Sequence, residues 1–561
     1  MIKAFLWISL AFAIQVVQPA KVLVLPSTIY PVHPYTMKHL VDELAKVGHE
    51  VTWVEHGPVQ SNVSLAKNVR SIFWKVDYDN HHLHEILVEK DHLVNKMLWE
   101  ADFHARTEQT TGWIAGIRLC DNLLKKHKDD FQRIADEKFD VVIVDDLYNP
   151  CGILQAALKG AVYIYWSMTS MRAESAWANQ SPNPPSYLPV HGTMLTEDMT
   201  FTDRVYNLAY YLRALYIHQH IIHPRIDAVF QKHYPGIDSA FDIERNASIN
   251  FVNTPPIFDF ARPYMPRVNF VGGLHCHKPK PLTGELAKFV ESANDNEGFI
   301  VISVGFTGNW DQAPANVKSI FTEAMRNHPK TKFVWQFNAS PESILQPSNV
   351  FIAPWLPLQD LLGHPKCKAH ITHGGLNSVI ESVYHGVPVL GIPLTVAGHD
   401  NVLRITHRDA GILLTKYQLD EYSLTKSIGS IQKQKYKDEM LVFQDMVRDV
   451  PYTELHNAAF WVGFIERHQE VPHARSGADQ LNIIQYFMID IIAFLISIAV
   501  VVTSLLLFIL RTAYRILVWF GRSSFKLLGP LFFYFLQLQD RMFCKPNLSW
   551  GRPFGSPNAL A

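Results

Sequence analysis

The stretch WLPLQDLLGHPKCKAHITHGGLNSVIESVYHGVPVLGIPLTVAGHDN, Trp355 to Asn401, holds the most structural information in the chain. An apolar strand over Ala369–Thr372 runs into His373-Gly374-Gly375, and a helix is predicted to open directly after the glycines. Glycines at a strand-to-helix turn let backbone N–H groups approach an anion, and the helix N-terminus adds partial positive charge where a diphosphate would lie. A second apolar run, Val389–Ile392, follows that helix. Strand, helix and strand at this spacing form one unit of a parallel sheet covered by helices.

Working outward, runs near Phe299–Val304 and Lys332–Trp335 add strands to the same sheet. The first half of the chain repeats the pattern. Lys21–Pro26 is strand-like, Met37, Leu40, Val41 and Leu44 share one helical face, and Gly48 precedes a second strand over Val51–Val54. Phe139–Val144 is a further buried strand. Pro255, Pro256, Pro263 and Pro266 punctuate the segment before Gly272-Gly273 and place the connection between the halves there. The helix over His456–His468, with Phe460, Trp461, Phe464 and Ile465 on one face, is expected to pack back on the body. The expected fold class is therefore α/β, with two Rossmann-like halves facing a cleft, spanning 21–265 and 266–450, followed by a returning segment at 451–490.

The chain has 561 residues, too many for one ordinary core, and its 51 basic and 52 acidic residues give no field that would favour nucleic acid. Residues 1–20 read as a secretory signal, with Lys3, an apolar run and small residues at the end. Ile491–Leu510 carries no charge and is long enough to span a bilayer core of about 30 Å. Arg511, Arg515, Arg522 and Lys526 follow it, which predicts a type I single-pass protein with a cytosolic tail at 511–561. Within that tail Leu527–Leu538 is short, contains Gly529-Pro530 and reads as interfacial. Five cysteines show no zinc-type spacing; one or two bridges among Cys120, Cys151, Cys276 and Cys367 are possible in an oxidising lumen, and the sequence does not choose them. Asn62 and Asn246 head plausible glycan sequons, while Asn179 and Asn338 are each followed by a nearby proline.

The Trp355–Asn401 block resembles the signature of the UDP-glycosyltransferases of the membrane-anchored animal type, with Trp355, His373, Gly374, Gly375, Asn377, Glu381, Pro388, Pro393, Asp400 and Asn401 in register. The resemblance extends over nearly all the chain to Leu510. It implies the two-domain GT-B fold and transfer of a sugar from a UDP-sugar. On that resemblance Trp355 stacks on uracil, Glu381 accepts ribose hydroxyls, His373 and the backbone amides of the Gly374-Gly375 turn hold the diphosphate, and Gln359, Asn377, Ser378, Gly305 and Thr307 complete the UDP-sugar site, Thr307 one residue from the position of the family's serine. His33 lies at the family histidine's distance from Gly48-His49-Glu50 and is the expected base, since neutral imidazole takes a hydroxyl proton near neutral pH. Its carboxylate partner is Asp145 when aligned from Phe139-Asp140 and Asp146 when counted back from Pro150-Cys151; Asp145 is preferred. The resemblance implies a single in-line displacement with inversion, and no metal or other cofactor is expected.

The departures from the family pattern cluster on the donor side. Ala397 and Gly398 stand where Asp-Gln ordinarily meets the sugar, Phe306 replaces a serine after Gly305, Gln336 replaces a basic residue, and Leu358 replaces a glutamine for which Gln359 could substitute. Neither Ala397 nor Gly398 offers a side-chain hydrogen bond. Three readings stay open: an active transferase with altered sugar choice, a silent member that binds UDP or joins active relatives in an oligomer, and a different nucleotide-sugar or lipid-linked chemistry. Tyr30, Pro34, Tyr35 and the aromatic region Trp177–Tyr211 suggest a small lipophilic acceptor. Residence in the endoplasmic reticulum, with luminal catalytic domains, follows from the resemblance alone.

Overall fold

The computed structural model describes residues 19–79, 81, 98–100 and 108–543, so the signal segment lies outside the described residues except for its last two. Seven strands form the first sheet: β1 (Lys21–Leu25), β2 (Glu50–Gly57), β3 (Arg70–Lys75), β4 (Val141–Asp145), β5 (Val162–Ser167), β6 (Ile249–Val252) and β7 (Val268–Phe270). They are ordered β3-β2-β1-β4-β5-β6-β7, all parallel. The second sheet repeats this winding with β8 (Phe299–Ser303), β9 (Lys332–Gln336), β10 (Val350–Ala353), β11 (Cys367–Thr372), β12 (Val389–Gly391) and β13 (Gly411–Leu413), ordered β10-β9-β8-β11-β12-β13. These near-continuous apolar strands are buried on both faces, as parallel sheets flanked by helices require.

In each sheet the chain order reverses beside the first strand, between β1 and β4 in one and between β8 and β11 in the other. Loops leaving the carboxyl ends of those strands diverge and open a crevice, where α/β sheets bind their ligands. The helix Val32–Lys46 follows β1 and buries Met37, Leu40, Val41 and Leu44 against the sheet. The helix Leu376–Tyr384 follows β11.

The expected boundary at 265/266 moves. β7 pairs with β6 in the first sheet, so the proline-rich segment belongs to that sheet's last crossover and passage to the second sheet begins after Phe270. Gly272 there lies against the Thr254 backbone, where a Cβ would come within 2.2 Å of Thr254 Cα. The helix Glu454–His468 does return to the first sheet, burying Ala458, Val462 and Ile465 with Trp461 and Phe464 packed against the same core; of the expected face, Phe460 alone points to solvent. A disulfide joins Cys120 to Cys151, tying the helix Glu108–Lys126 to the helix Pro150–Lys159.

The molecule divides into two compact units, the second starting at Gly477. That unit holds a helix over Ile489–Phe543 that runs past the expected end of the span at Leu510 and continues through Gly529-Pro530. Its Ile489–Gln539 portion is the one helix among the described residues long and apolar enough to cross a membrane. At 1.5 Å rise per residue the 55-residue helix greatly exceeds a bilayer core of about 30 Å.

Candidate active site

His33 stands in the first turn of the helix after β1, and Asp145 is the last residue of β4, so the two meet at the reversal point of the first sheet. His33 Nδ1 lies 2.7 Å from Asp145 Oδ2, both side chains buried. The same oxygen accepts from the Ser27 N–H at 3.0 Å, and Oδ1 accepts from the Leu147 N–H at 3.0 Å. Three donors thus fix the carboxylate, which in turn fixes the imidazole, while His33 Nε2 has no hydrogen-bond partner among the described residues. Asp146 turns the other way. Its Oδ2 accepts from Arg172 Nη2 at 3.0 Å and Ser175 Oγ at 3.2 Å, and burial pushes its carboxyl up against the pull of Arg172.

At the reversal point of the second sheet, His373 follows β11 and faces the loop after β8. Its ring is buried between glycines. A Cβ on Gly375 would sit 2.6 Å from His373 Nε2, and one on Gly305, which has φ +55°, 3.1 Å from Cε1. Burial pushes His373 down to about 4, so the ring is neutral. His373 is therefore an enclosed imidazole, and its Nδ1 is buried with no well-aligned hydrogen-bond partner among the described residues. Gly374 has φ +85° and backs onto the carbonyl of Gly398, 2.3 Å from where its Cβ would lie. Gly398 in turn abuts the His373 carbonyl, so a side chain at either position would collide with backbone. Ala397 is half-buried beside it in the first turn of Val396–Thr406.

The two halves meet through these same turns. Asn377 Nδ2 donates to Thr36 Oγ1 at 2.8 Å, linking the helix of His33 to the helix after Gly375. Asn253 Nδ2 lies 3.3 Å from Asn377 Oδ1. Asp400 accepts from the Gly192 and Met194 N–H groups, and Asn401 Nδ2 donates to the Gly374 carbonyl. Glu381 is buried, with Gln359 Nε2 at 3.3 Å and His275 Nε2 at 3.4 Å from Oε1. Gln359 spends its carboxamide on the protein, donating to the His275 carbonyl and accepting from the His277 N–H, which corrects the expectation that it faces the donor. Ser378 is buried with its carbonyl bonded to Ser382 Oγ, and Thr307 stands half-buried after β8.

Trp355 is 51% exposed, and the ring of Phe306 sits 4.8 Å from it at a 42° tilt. Phe306 also lies 5.5 Å from Tyr35 of the first half. Gln336 shapes this loop, since its Oε1 accepts from Val304 and Gly305 N–H and its Nε2 donates to the Gly305 carbonyl.

A family profile described as UDP-glucoronosyl and UDP-glucosyl transferase matches residues 20–522. The chain belongs to this family. UDP-glucuronosyltransferase 2B15 of Homo sapiens is 32% identical over 88% of this chain and 93% of its own, and UDP-glucuronosyltransferase 2B17 of Homo sapiens is 31% identical over 85% and 90%. Among solved structures, the calicheamicin glycosyltransferase CalG4 superposes with a TM-score of 0.55 at 15% identity, covering 81% of this chain and all of that one. Phytolacca americana UGT2, in complex with UDP-2fluoro-glucose and pterostilbene, gives 0.55 at 14% identity, over 80% and 100%. The fold is therefore GT-B, and family and fold together make this chain a UDP-glycosyltransferase, built for sugar transfer from a UDP-sugar.

Several parts of this UDP-glycosyltransferase site lay outside the sequence reading. Arg172 decides which aspartate serves His33, yet nothing in its local sequence marks it. Tyr148 packs 5.7 Å from Tyr30, itself 5.9 Å from His33, and holds φ +61° in a cradle where Gly112 and Gly116 admit its ring and backbone. Trp177 and Tyr211 instead pack together with Val190 and Leu215, in a cluster separate from the Tyr30 aromatics.

Proposed function

We propose that this chain transfers a sugar from a UDP-sugar to the hydroxyl of a small apolar acceptor, with His33 as general base. The observation that carries the reading is the 2.7 Å His33–Asp145 contact at one crevice, tied by the Asn377–Thr36 bond to the glycine turn at the other. Asp145 holds Nδ1 as the protonated nitrogen and leaves Nε2 to take the acceptor proton. The acceptor oxygen then bonds to the anomeric carbon as the carbon–phosphate oxygen bond breaks, and UDP departs with the electron pair. Attack opposite the leaving group inverts the anomeric centre. The proton rests on the imidazole, stabilised by Asp145.

On this reading the first half takes the acceptor, beside Tyr30 and Tyr148, and the second half takes the donor. Trp355 offers its exposed face to uracil, Glu381 meets the ribose with Gln359 and His275 bracing it, and the N–H groups after His373 hold the diphosphate at a helix N-terminus. A neutral His373 contributes an N–H rather than a charge. The Cys120–Cys151 bridge supports an oxidising compartment for the body, and the basic residues after Leu510 support a cytosolic end for the chain.

A silent, UDP-binding role is the second reading, favoured by Ala397 and Gly398, which bring no side-chain donor to the sugar. UDP release by the membrane-bound protein, measured over a panel of UDP-sugars with phenol and sterol acceptors, separates the two. Acceptor-dependent release that disappears in His33→Ala supports the transferase. UDP binding with no release from any donor overturns it.

A further inference from the structure

The segment His218–Ile222 is a single π-helical turn, closed by the His223 N–H on the His218 carbonyl. Pro224, which has no N–H, stands directly after it. In an α-helix, at about 100° per residue, positions five apart point away from each other. The π turn removes that divergence and stacks the imidazoles of His218 and His223 with ring centroids 4.1 Å apart. Single π turns occur preferentially where side chains are brought together for function.

Both rings face Glu244 from the short helix Ala240–Arg245. His218 Nε2 lies 3.1 Å and His223 Nε2 3.3 Å from Glu244 Oε2, and all three residues are 5% exposed or less. The second carboxylate oxygen is held separately by Tyr165 OH at 2.8 Å. His223 Nδ1 is buried without a partner, and its Nε2 forms no well-aligned hydrogen bond although it points at the carboxylate. Nearby, one guanidinium, Arg172, already serves two carboxylates, Asp146 and Glu174. Glu244 thus brings a further negative charge into this buried region, where the two imidazoles face it.

We propose that His218, His223 and Glu244 bind a divalent first-row metal ion, with zinc as the reference ion. Zinc binds imidazole nitrogen and carboxylate oxygen at about 2.0–2.2 Å, and tetrahedral geometry then sets ligand atoms about 3.3 Å apart. The two nitrogen-to-oxygen separations match that edge. The bond from Tyr165 to the other carboxylate oxygen is the outer contact that orients a ligating carboxylate. The fourth position falls to water. Tyr165 OH further reaches the Asp146 carbonyl at 3.3 Å, so the ion braces the turn that carries Asp145 without touching the reaction. Cysteine spacing gives no hint of such a site, because its ligands are histidines brought together by a π turn and a glutamate 21 residues beyond the second of them.

The test uses the full-length protein in detergent, stripped with chelator, reloaded with zinc and desalted, with metal read by mass spectrometry. The expected result is about one zinc per chain, with an increase in thermal midpoint on loading. His223→Gln and Glu244→Gln should lower retention about tenfold or more, while His473→Gln, at an exposed histidine, should not. Should the variants fail to fold, the wild-type protein still decides. Cobalt(II) at this site must give the strong visible bands of a four-coordinate ion. Wild-type protein that retains no zinc, retention unchanged in both variants, or bound cobalt lacking those bands would each overturn the proposal and leave a hydrogen-bonded His-Glu-His cluster.

Discussion

Asp145 and Asp146 are chemically identical neighbours with opposite fates. At the end of a strand, successive side chains point to opposite faces, so only one of the pair can reach His33. Asp145 takes the imidazole and two backbone N–H groups, and Asp146 takes Arg172. Asp145→Asn should keep the packing, free His33 to adopt the wrong tautomer, and lower turnover by about 10³-fold or more with UDP affinity unchanged. Asp146→Asn should instead act on stability, by roughly 3 kcal/mol, since it leaves a buried guanidinium short of a carboxylate; calorimetry and kinetics on the two variants separate these effects. Phe306 is the second residue to test. Its ring leans on the exposed Trp355, an aromatic pair worth about 0.5–1.5 kcal/mol that a uracil must compete with. Phe306→Ser should therefore tighten UDP binding by roughly three- to tenfold in a titration; weaker binding would mean that the phenyl ring itself stacks on the base. Much of this site was legible in sequence because its donor half is contiguous, from Trp355 to Asn401. What was not legible depends on distant partners: Gln359 looks like a ligand-facing amide until His275 and His277 are seen to occupy it.

At the level of elements, β1, β2, β4, β8, β9, β11 and β12 were readable because buried parallel strands are short apolar runs, whereas β3, β5, β6, β10 and β13 were not picked out. The three-residue β7 was not, since Val268–Phe270 has no periodicity to show and follows a proline-rich segment that reads as a linker. The returning helix was readable, and so was most of its face, since Trp461, Phe464 and Ile465 pack on the first-sheet core. Phe460 was the exception, and the smaller Ala458 and Val462 are buried instead. The helix pair joined by Cys120 and Cys151 was equally hidden, because a bridge depends on the approach of two helices that the sequence does not set. Their separation of 31 residues gives an expected stabilisation of about 3.7 kcal/mol by restriction of the unfolded chain. Cys120→Ser with Cys151→Ser should therefore lower the thermal midpoint and make it insensitive to reductant, whereas the wild type should lose stability when reduced. An unchanged midpoint in the double variant would place the bridge's role elsewhere than in stability.

Across the whole molecule the balance of 51 basic and 52 acidic residues conceals a strong pH dependence, because the chain also carries 27 histidines. His56, His370 and His373 are buried, and burial pushes them down to about 4, 3 and 4. An unfolded chain protonates such groups near pH 6.5, while the fold refuses the proton until far lower pH. The unfolded state thus binds more protons between these limits, so their stabilisation is complete above about 6.5 and is lost as pH falls toward 4. Each histidine adds a slope of up to about 1.4 kcal/mol per pH unit in that window. His39 and His385 are pushed down to about 4 in the same way, so these histidines together should leave the thermal midpoint nearly flat from pH 8 to 7 and make it drop steeply between pH 6.5 and 5. Scanning calorimetry across that range checks the sign, and a midpoint that held level down to pH 5 would mean that the imidazoles beneath the glycine turn take up protons in the folded state.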